Sequence, residues 1–450
     1  MSDSKAIRRA GDIELKDVVI ISSNGVVHNI SPQVLSIEIV ENIFEPFTTG
    51  TITVSDAIDI LNLIPMVGNE LVRLEFNTPT LDDQFAYKRE FYVYNCSDKV
   101  KTNDRSSIYQ LRIISIEAAI DRGRRVSQTF RGSPEQIVRS LVYDSGMHSS
   151  KDLYCENTTN SVVFISNWWT PTKCIDYVTR RAINANGSAT YLFYEANGGF
   201  AFVSLDSLIL AGVKQTFNVS NFATQPSKNV DSTAPTNIEL DYQSVLQVSY
   251  QNGFDQFNRL ATGYYGGEVI AFDGNTQQYI HSRAGKNFED ENHLNQYNPV
   301  PLKNTFGVTS GIIQYIPYAT QNFDNINAGI TDTDIPVRTA RQQFFSRLQT
   351  SQATIKVYGR CDYFPGMVVR LNVPCDAEIS KQDETPYDLL TTGNYLVTSI
   401  KHVITSVRHT MNIQLMKDSY IFDISNSGYQ LTKVDQTNAI ASNQQTSGGD

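Results

Sequence analysis

Cysteine is scarce in this chain of 450 residues, and what there is forms no pattern. The five thiols (Cys96, Cys155, Cys174, Cys361 and Cys375) are odd in number, scattered and without a C-x-x-C pair. Neither a disulfide framework nor a zinc site is indicated, and free, mostly buried thiols are expected. Long apolar runs are also missing. No stretch reaches the roughly 20 residues that cross a bilayer, and Met1-Ser2-Asp3-Ser4-Lys5 lacks the apolar core of a signal peptide. The expectation is a chain made and kept soluble in a cytoplasm, with no stable membrane insertion. Positive charge is in deficit, with a formal net charge of −10. That disfavours general nucleic-acid binding, which needs a basic footprint, and suits an assembly component or a channel wall that does not hold DNA.

Catalytic signatures are absent as well. There is no G-x-S-x-G elbow, no H-E-x-x-H, no P-loop and no dinucleotide fingerprint. The six histidines (His28, His148, His281, His293, His402 and His409) are isolated in sequence, and each reads as structural or surface-exposed rather than as a ligand. No catalytic residue, cofactor or metal is expected. Two carboxylates across a cleft would suffice for a glycosidase, and sequence spacing does not exclude that chemistry.

What is present favours β-structure. Tyr (23) and Phe (22) supply almost all the aromatics among many Asn, Thr and Ser, and 450 residues are too many for one ordinary domain. From Ile13 to about Glu117 short alternating runs (Leu35, Ile37, Ile39; Val72, Leu74, Phe76) lie between turn residues, as in a sandwich or barrel. Between Asp121 and about Asp206 the pattern becomes α/β. Ser133-Pro134-Glu135-Gln136 reads as a capping-box helix start, Thr170-Pro171 opens a second helix, and Asn197-Gly198-Gly199 turns a hairpin. Strands return from Glu239 to about Phe272 and are read as the start of a second barrel. Residues 281–334 are loop-rich.

The C-terminal part carries the clearest pattern. Val337, Ala340, Phe344 and Leu348 recur at helical spacing with arginines between them. Period-two runs follow at Ile355-Val357, at Met367-Val369-Leu371-Val373 after Pro365-Gly366, at Tyr395 to Ile404, and at Met411-Ile413-Leu415. This is a helix followed by an antiparallel meander.

The ordered set Ile-Lys-Val-Tyr-Gly, Phe-Pro-Gly-Met-Val-Val-Arg-Leu-Asn-Val-Pro and Gly-Asn-Tyr-Leu-Val-Thr-Ser-Ile-Lys-His resembles the tube-forming module of phage baseplate hub proteins and the related spike proteins of type VI secretion. The segment from Ser36 to Gly50 with Leu63-Ile64-Pro65-Met66-Val67-Gly68 is similar to the first tube domain of contractile-tail hubs. Trp168-Trp169 with the Tyr191 to Val203 hairpin resembles their inserted domain. The resemblance implies a mainly β fold with α+β inserts: two tube-forming antiparallel β-barrel domains plus inserted α/β and loop-rich regions. The expected division is 1–120 for the first barrel, 121–237 for the α/β insert, and 238–280 with 346–420 for the second barrel. Residues 281–345 would be a loop-rich insertion ending in the amphipathic helix, and 421–450 a partly disordered or spike-facing tail.

The resemblance further implies a virion component of the tail baseplate. It would be a homotrimer joining a hexameric tail tube to a trimeric central spike, in contact with tape measure and inner wedge proteins, with DNA only in transit. Phe44, Phe47, Trp168, Trp169, Arg338 and Arg341 are the candidate interface residues. Arg122, Arg124, Arg125 and Arg131 form a basic cluster that reads as a solvated edge or one side of a charged interface. The rival readings are a tail-associated cell-wall hydrolase and a carbohydrate-binding tail protein, the twin tryptophans being the only cue for the second.

Overall fold

A computed structural model describes residues 9–422, except 64, 65, 80, 104, 105, 220–237, 253–258, 260, 265, 266, 275, 276, 285–291, 298–311, 319–333, 350 and 375–386. The first part holds seven strands: β1 (Glu14–Ile21), β2 (Val27–Asn29), β3 (Val34–Asn42), β4 (Thr49–Asp56), β5 (Leu71–Asn77), β6 (Tyr87–Asn103) and β7 (Ser106–Ser115), with a short helix α1 (Ile60–Leu63). The α/β part follows with α2 (Ile116–Gly123), β8 (Thr129–Gly132), α3 (Pro134–Tyr143), β9 (Leu153–Cys155), β10 (Val162–Ile165), α4 (Pro171–Thr179), β11 (Tyr191–Ala196), β12 (Gly199–Ser204) and α5 (Leu205–Leu210). The remainder is β13 (Val213–Asn218), α6 (Ile238–Gln243), β14 (Gln247–Asn252), β15 (Gly267–Asp273), β16 (Gln278–Ala284), β17 (Ile312–Tyr318), α7 (Asp334–Leu348), β18 (Ser351–Tyr358), β19 (Val368–Asn372), β20 (Gly393–Thr405) and β21 (His409–Lys417).

The protein is mainly β, and one large sheet runs through it in the order β14-β18-β21-β20-β3-β4-β7-β6-β5-β1-β2. Period-two burial gives each half its own core. Ile37, Ile39, Val72, Leu74, Phe76, Phe91, Leu111 and Ile113 line the first; Phe217, Ile355, Val357, Val369, Leu371, Tyr395, Val397, Met411 and Ile413 line the second. In the second half β13 adds to β19 in parallel, and Ser244 just ahead of β14 bridges Asn218 at the end of β13. That bridge brings the two outer strands of the unit together. The halves meet where β20 pairs antiparallel with β3, from Ser399↔Asn42 to Thr405↔Ser36.

The insert follows its sequence closely. Ile137, Val138, Leu141 and Val142 of α3 and Cys174, Ile175 and Val178 of α4 are buried over β11 and β12. Asn197 (φ 48) and Gly198 (φ 79) both take left-handed conformations, the two-residue hairpin turn that Asn-Gly supplies. A further core joins this layer to α7 and the main sheet through Ile43, Leu192, Tyr194, Phe344, Leu348, Val368 and Leu396.

Several expectations need correction. Ser133 is the N-cap of α3, yet its hydroxyl makes no cap bond, and Glu135 in the first turn reaches instead to the Thr158 amide and hydroxyl. Leu35 is exposed although Ile37 and Ile39 are buried, because a register shift between Val34 and Ser36 turns it outward. The strand in 263–272, read as part of the second barrel, is β15, which pairs with β16 and β17 in a separate sheet. Its Val269 and Ala271 pack on Ile335 of α7: alternation fixes which face is buried but not against what. Of the four described cysteines, Cys96 is exposed and Cys155 half-buried, and only Cys174 and Cys361 are buried. Cys375 and the tail from 423 lie outside the described residues.

At the junction of the halves sits a polar core. His402 Nδ1 and His409 Nε2 lie 3.0 Å apart, so one ring donates its N–H to the other, and both are fully enclosed. Burial, reinforced by the Arg89 charge, drives His402 down to about 3; burial and His402 push His409 well below the usual imidazole range. Gly359 lies against the same pair, and a Cβ there would sit 2.2 Å from the His409 ring.

Two outcomes follow. Gly359→Ala should destabilise by about 2–3 kcal/mol through overpacking, read as a shift in the urea midpoint; a shift under about 0.5 kcal/mol would contradict it. Between pH 6.5 and 3 the unfolded chain takes up protons that the buried pair refuses, so stability is fully present above pH 6.5 and is lost on acidification, at about 1.4 kcal/mol per pH unit for each histidine. His402→Gln should therefore lose less stability than the parent between pH 7 and 5, and parallel losses would refute the neutral-pair account.

Candidate functional site

No three His, Cys, Asp or Glu side chains among the described residues converge as for a metal. Apart from the buried pair, His293 bonds Asp418 at 2.6 Å, the exposed His281 bonds Glu268 at 3.2 Å, and His148 Nδ1 lies 3.3 Å from the Tyr143 carbonyl.

The titratable groups that do cluster are a chain of buried ion pairs. Arg89 of β6 bonds Glu41 of β3 at 2.5 Å, with its guanidinium 4.2 Å over the Tyr87 ring. Lys151 Nζ bonds Glu117 of α2 and Glu195 of β11, both at 2.6 Å, and the Ser115 hydroxyl at 2.7 Å. Glu195 also accepts from the Thr48 amide at 2.9 Å. Burial alone would raise the Glu117 carboxyl, but Lys151 and the hydrogen bonds from Lys151, Ser149 and Ser115 outweigh it and hold it low. A glycosidase acid needs the opposite shift. Chemically this arrangement fixes three parts of the chain together. The network escaped sequence reading, although Arg89 shares the inward register of β6 with Tyr87 and Phe91, and Glu41 that of β3 with Ile37 and Ile39. A charge on a buried register position is the available signal.

The six candidate interface residues fall in three places. Phe44, Arg338 and Arg341 lie along one groove. Phe44 and Arg341 line a cleft of about 280 Å³ between the 43–46 turn, α4, β11 and α7, and Arg338 and Arg341 line an adjoining one of about 530 Å³. Arg341 is committed within the chain, donating to the Ala189 and Tyr191 carbonyls at 2.7 and 3.1 Å and lying 4.9 Å over Phe345. Phe47 is half-buried with its ring edge-on to Phe200. The tryptophans diverge: Trp169 packs between Phe164 and Tyr177 with Lys173 Nζ 4.9 Å above it, whereas Trp168 is 69% exposed. Trp169 pairs with Val126, so the basic 122–131 segment and the twin tryptophans, distant in sequence, share one ribbon.

No family model and no curated protein matches this chain. Solved structures do. A tail protein from Neisseria meningitidis superposes with a TM-score of 0.53 at 10% identity, over 89% of this chain and 96% of that one. A 43 kDa tail protein of prophage MuSo2 from Shewanella oneidensis gives 0.47 at 8% identity over 90% and 98%. An Escherichia coli protein described as a component of the type VI secretion system gives 0.44 at 7% identity over 94% and 79%. At 10% identity the Neisseria likeness is one of fold, and the fold this chain shares nearly end to end is that of a tail protein.

Proposed function

We propose that this chain is a structural component of a contractile-type tail, the hub that joins a hexameric tail tube to a trimeric central spike. The supporting observation is the β3–β20 register, which joins two β-units, each with its own core, in one chain. Three such chains present six barrel units. A ring of three then meets six-fold partners on one side and three-fold partners on the other. In this reading the groove with Phe44, Arg338 and Arg341 and the faces with Phe47, Trp168 and Trp169 are contact surfaces toward neighbouring copies, the spike, the tube, tape measure and wedge proteins. The ring nucleates tube assembly in the virion baseplate and leaves a passage for DNA. This reading assigns the chain no catalysis: Glu41, Glu117 and Glu195 are held by Arg89 and Lys151, and His402 and His409 by each other. The net charge of −10 suits a lumen that lets DNA slide.

The native mass of the purified chain, alone and with its spike, tests this. About three times the 50.4 kDa monomer is expected, with no clearing of a peptidoglycan suspension. A monomer at all concentrations with the spike present, or lysis of the suspension, would overturn it.

A further inference from the structure

The sheet β16-β15-β17 has one face against α7 and the other toward solvent. Val269 and Ala271 of β15 pack on Ile335 of α7, so by alternation Ile270 and Phe272 point to the opposite face. Register adds their neighbours. Tyr279 of β16 stands opposite Phe272, and Tyr315 of β17 stands beside Ile270. Tyr315 is 73%, Tyr279 64% and Phe272 42% exposed, and the Phe272 and Tyr279 rings lie 5.2 Å apart. Single apolar side chains on a surface need no explanation, but three aromatic rings on one sheet face form a patch of the kind that marks a binding site.

Size and charge narrow what that site takes. Three strands of seven residues span roughly 23 by 14 Å, about 300 Å². Each partner in a stable protein pair buries about 800 Å², so this face alone does not hold a second copy of the chain. Its charges balance, with Glu268 in register with Arg283 and bonded at 3.2 Å to His281. That disfavours nucleic acid, which needs cations, and strongly charged peptides of either sign. A neutral ligand with a flat apolar face and a polar rim fits. Pyranose rings have that form: their C–H faces stack on aromatic rings while their hydroxyls bond phenols, carboxylates and imidazoles. Tyr279 and Tyr315 lie diagonally across β15 with their backbones about 12 Å apart, so a chain of several sugars spans them and a single sugar does not.

We infer that this face binds a neutral, extended oligosaccharide, with the rings of Tyr279, Phe272 and Tyr315 as its platform. The inference goes beyond the hub reading and does not rest on it.

Titration of the full chain with N-acetylchitohexaose and with cellohexaose tests it, with Tyr279→Ala, Tyr315→Ala, Tyr315→Phe and Trp168→Ala alongside. Saturable binding of at least one hexasaccharide is expected, nearly unchanged by salt because the ligand carries no charge. Each alanine variant at a tyrosine should weaken it at least about tenfold while melting as the parent does, since both rings are largely exposed. Tyr315→Phe keeps the ring and should stay within about threefold of the parent. The native mass should be the same in parent and variants, so this inference and the hub reading fail separately. No saturable binding of either sugar at about millimolar concentration would overturn the inference. Binding that survives both tyrosine-to-alanine variants would overturn it too, as would binding lost in Trp168→Ala instead, which would move the sugar to the twin tryptophans. Self-association lost in Tyr315→Ala would give the face to a second copy and contradict the assignment to a sugar.

Discussion

Seven residues of β3, Ser36 to Asn42, lie in antiparallel register against Thr405 to Ser399 of β20, and most of the architecture depends on that seam. It closes a loop of more than 350 residues, so its entropic cost is large and strand pairing alone would be a weak weld. The seam is reinforced from behind. Ser399 bonds the Glu41 carbonyl, Glu41 holds Arg89, and the His402–His409 pair is packed under Tyr87 and Phe76. Removing any one charge here would leave its partner buried and unpaired, a loss of several kcal/mol.

The ion-pair chain extends the same rigidity to the insert. Lys151 answers two carboxylates from different layers, and Glu195 also binds the backbone at Thr48, beside the end of β3. Buried charges seldom add much net stability over a well-packed apolar core. What they add here is register: a slip of one residue in β3 or β6 would turn Glu41 or Arg89 to solvent and strand the other. A part that must hold its shape while a tail contracts would need such fixed register.

The fold was legible where chemistry is local. Asn197-Gly198 sets its own turn, Thr170-Pro171 starts α4 with a side-chain cap on Lys173, and Phe344 and Leu348 mark the buried stripe of α7. Partnership was not legible. The strand near 267–273 was expected in the second barrel, with no sign that α7 covers it, and nothing near Glu41 announces Arg89, 48 residues away. Likewise the basic segment and the tryptophans could be read only as separate features until the Val126–Trp169 pairing placed them together. The left-handed backbone of Trp168, at φ 53, likewise has no mark in its local sequence.

The central claim is geometric: two β-units in one chain occupy like positions in a ring. Electron cryomicroscopy of the assembled ring measures this directly. The account predicts three chains whose first and second units alternate around the lumen at about 60° intervals, with β3 and β20 paired as here. A ring in which only one of the two units lines the lumen would contradict it.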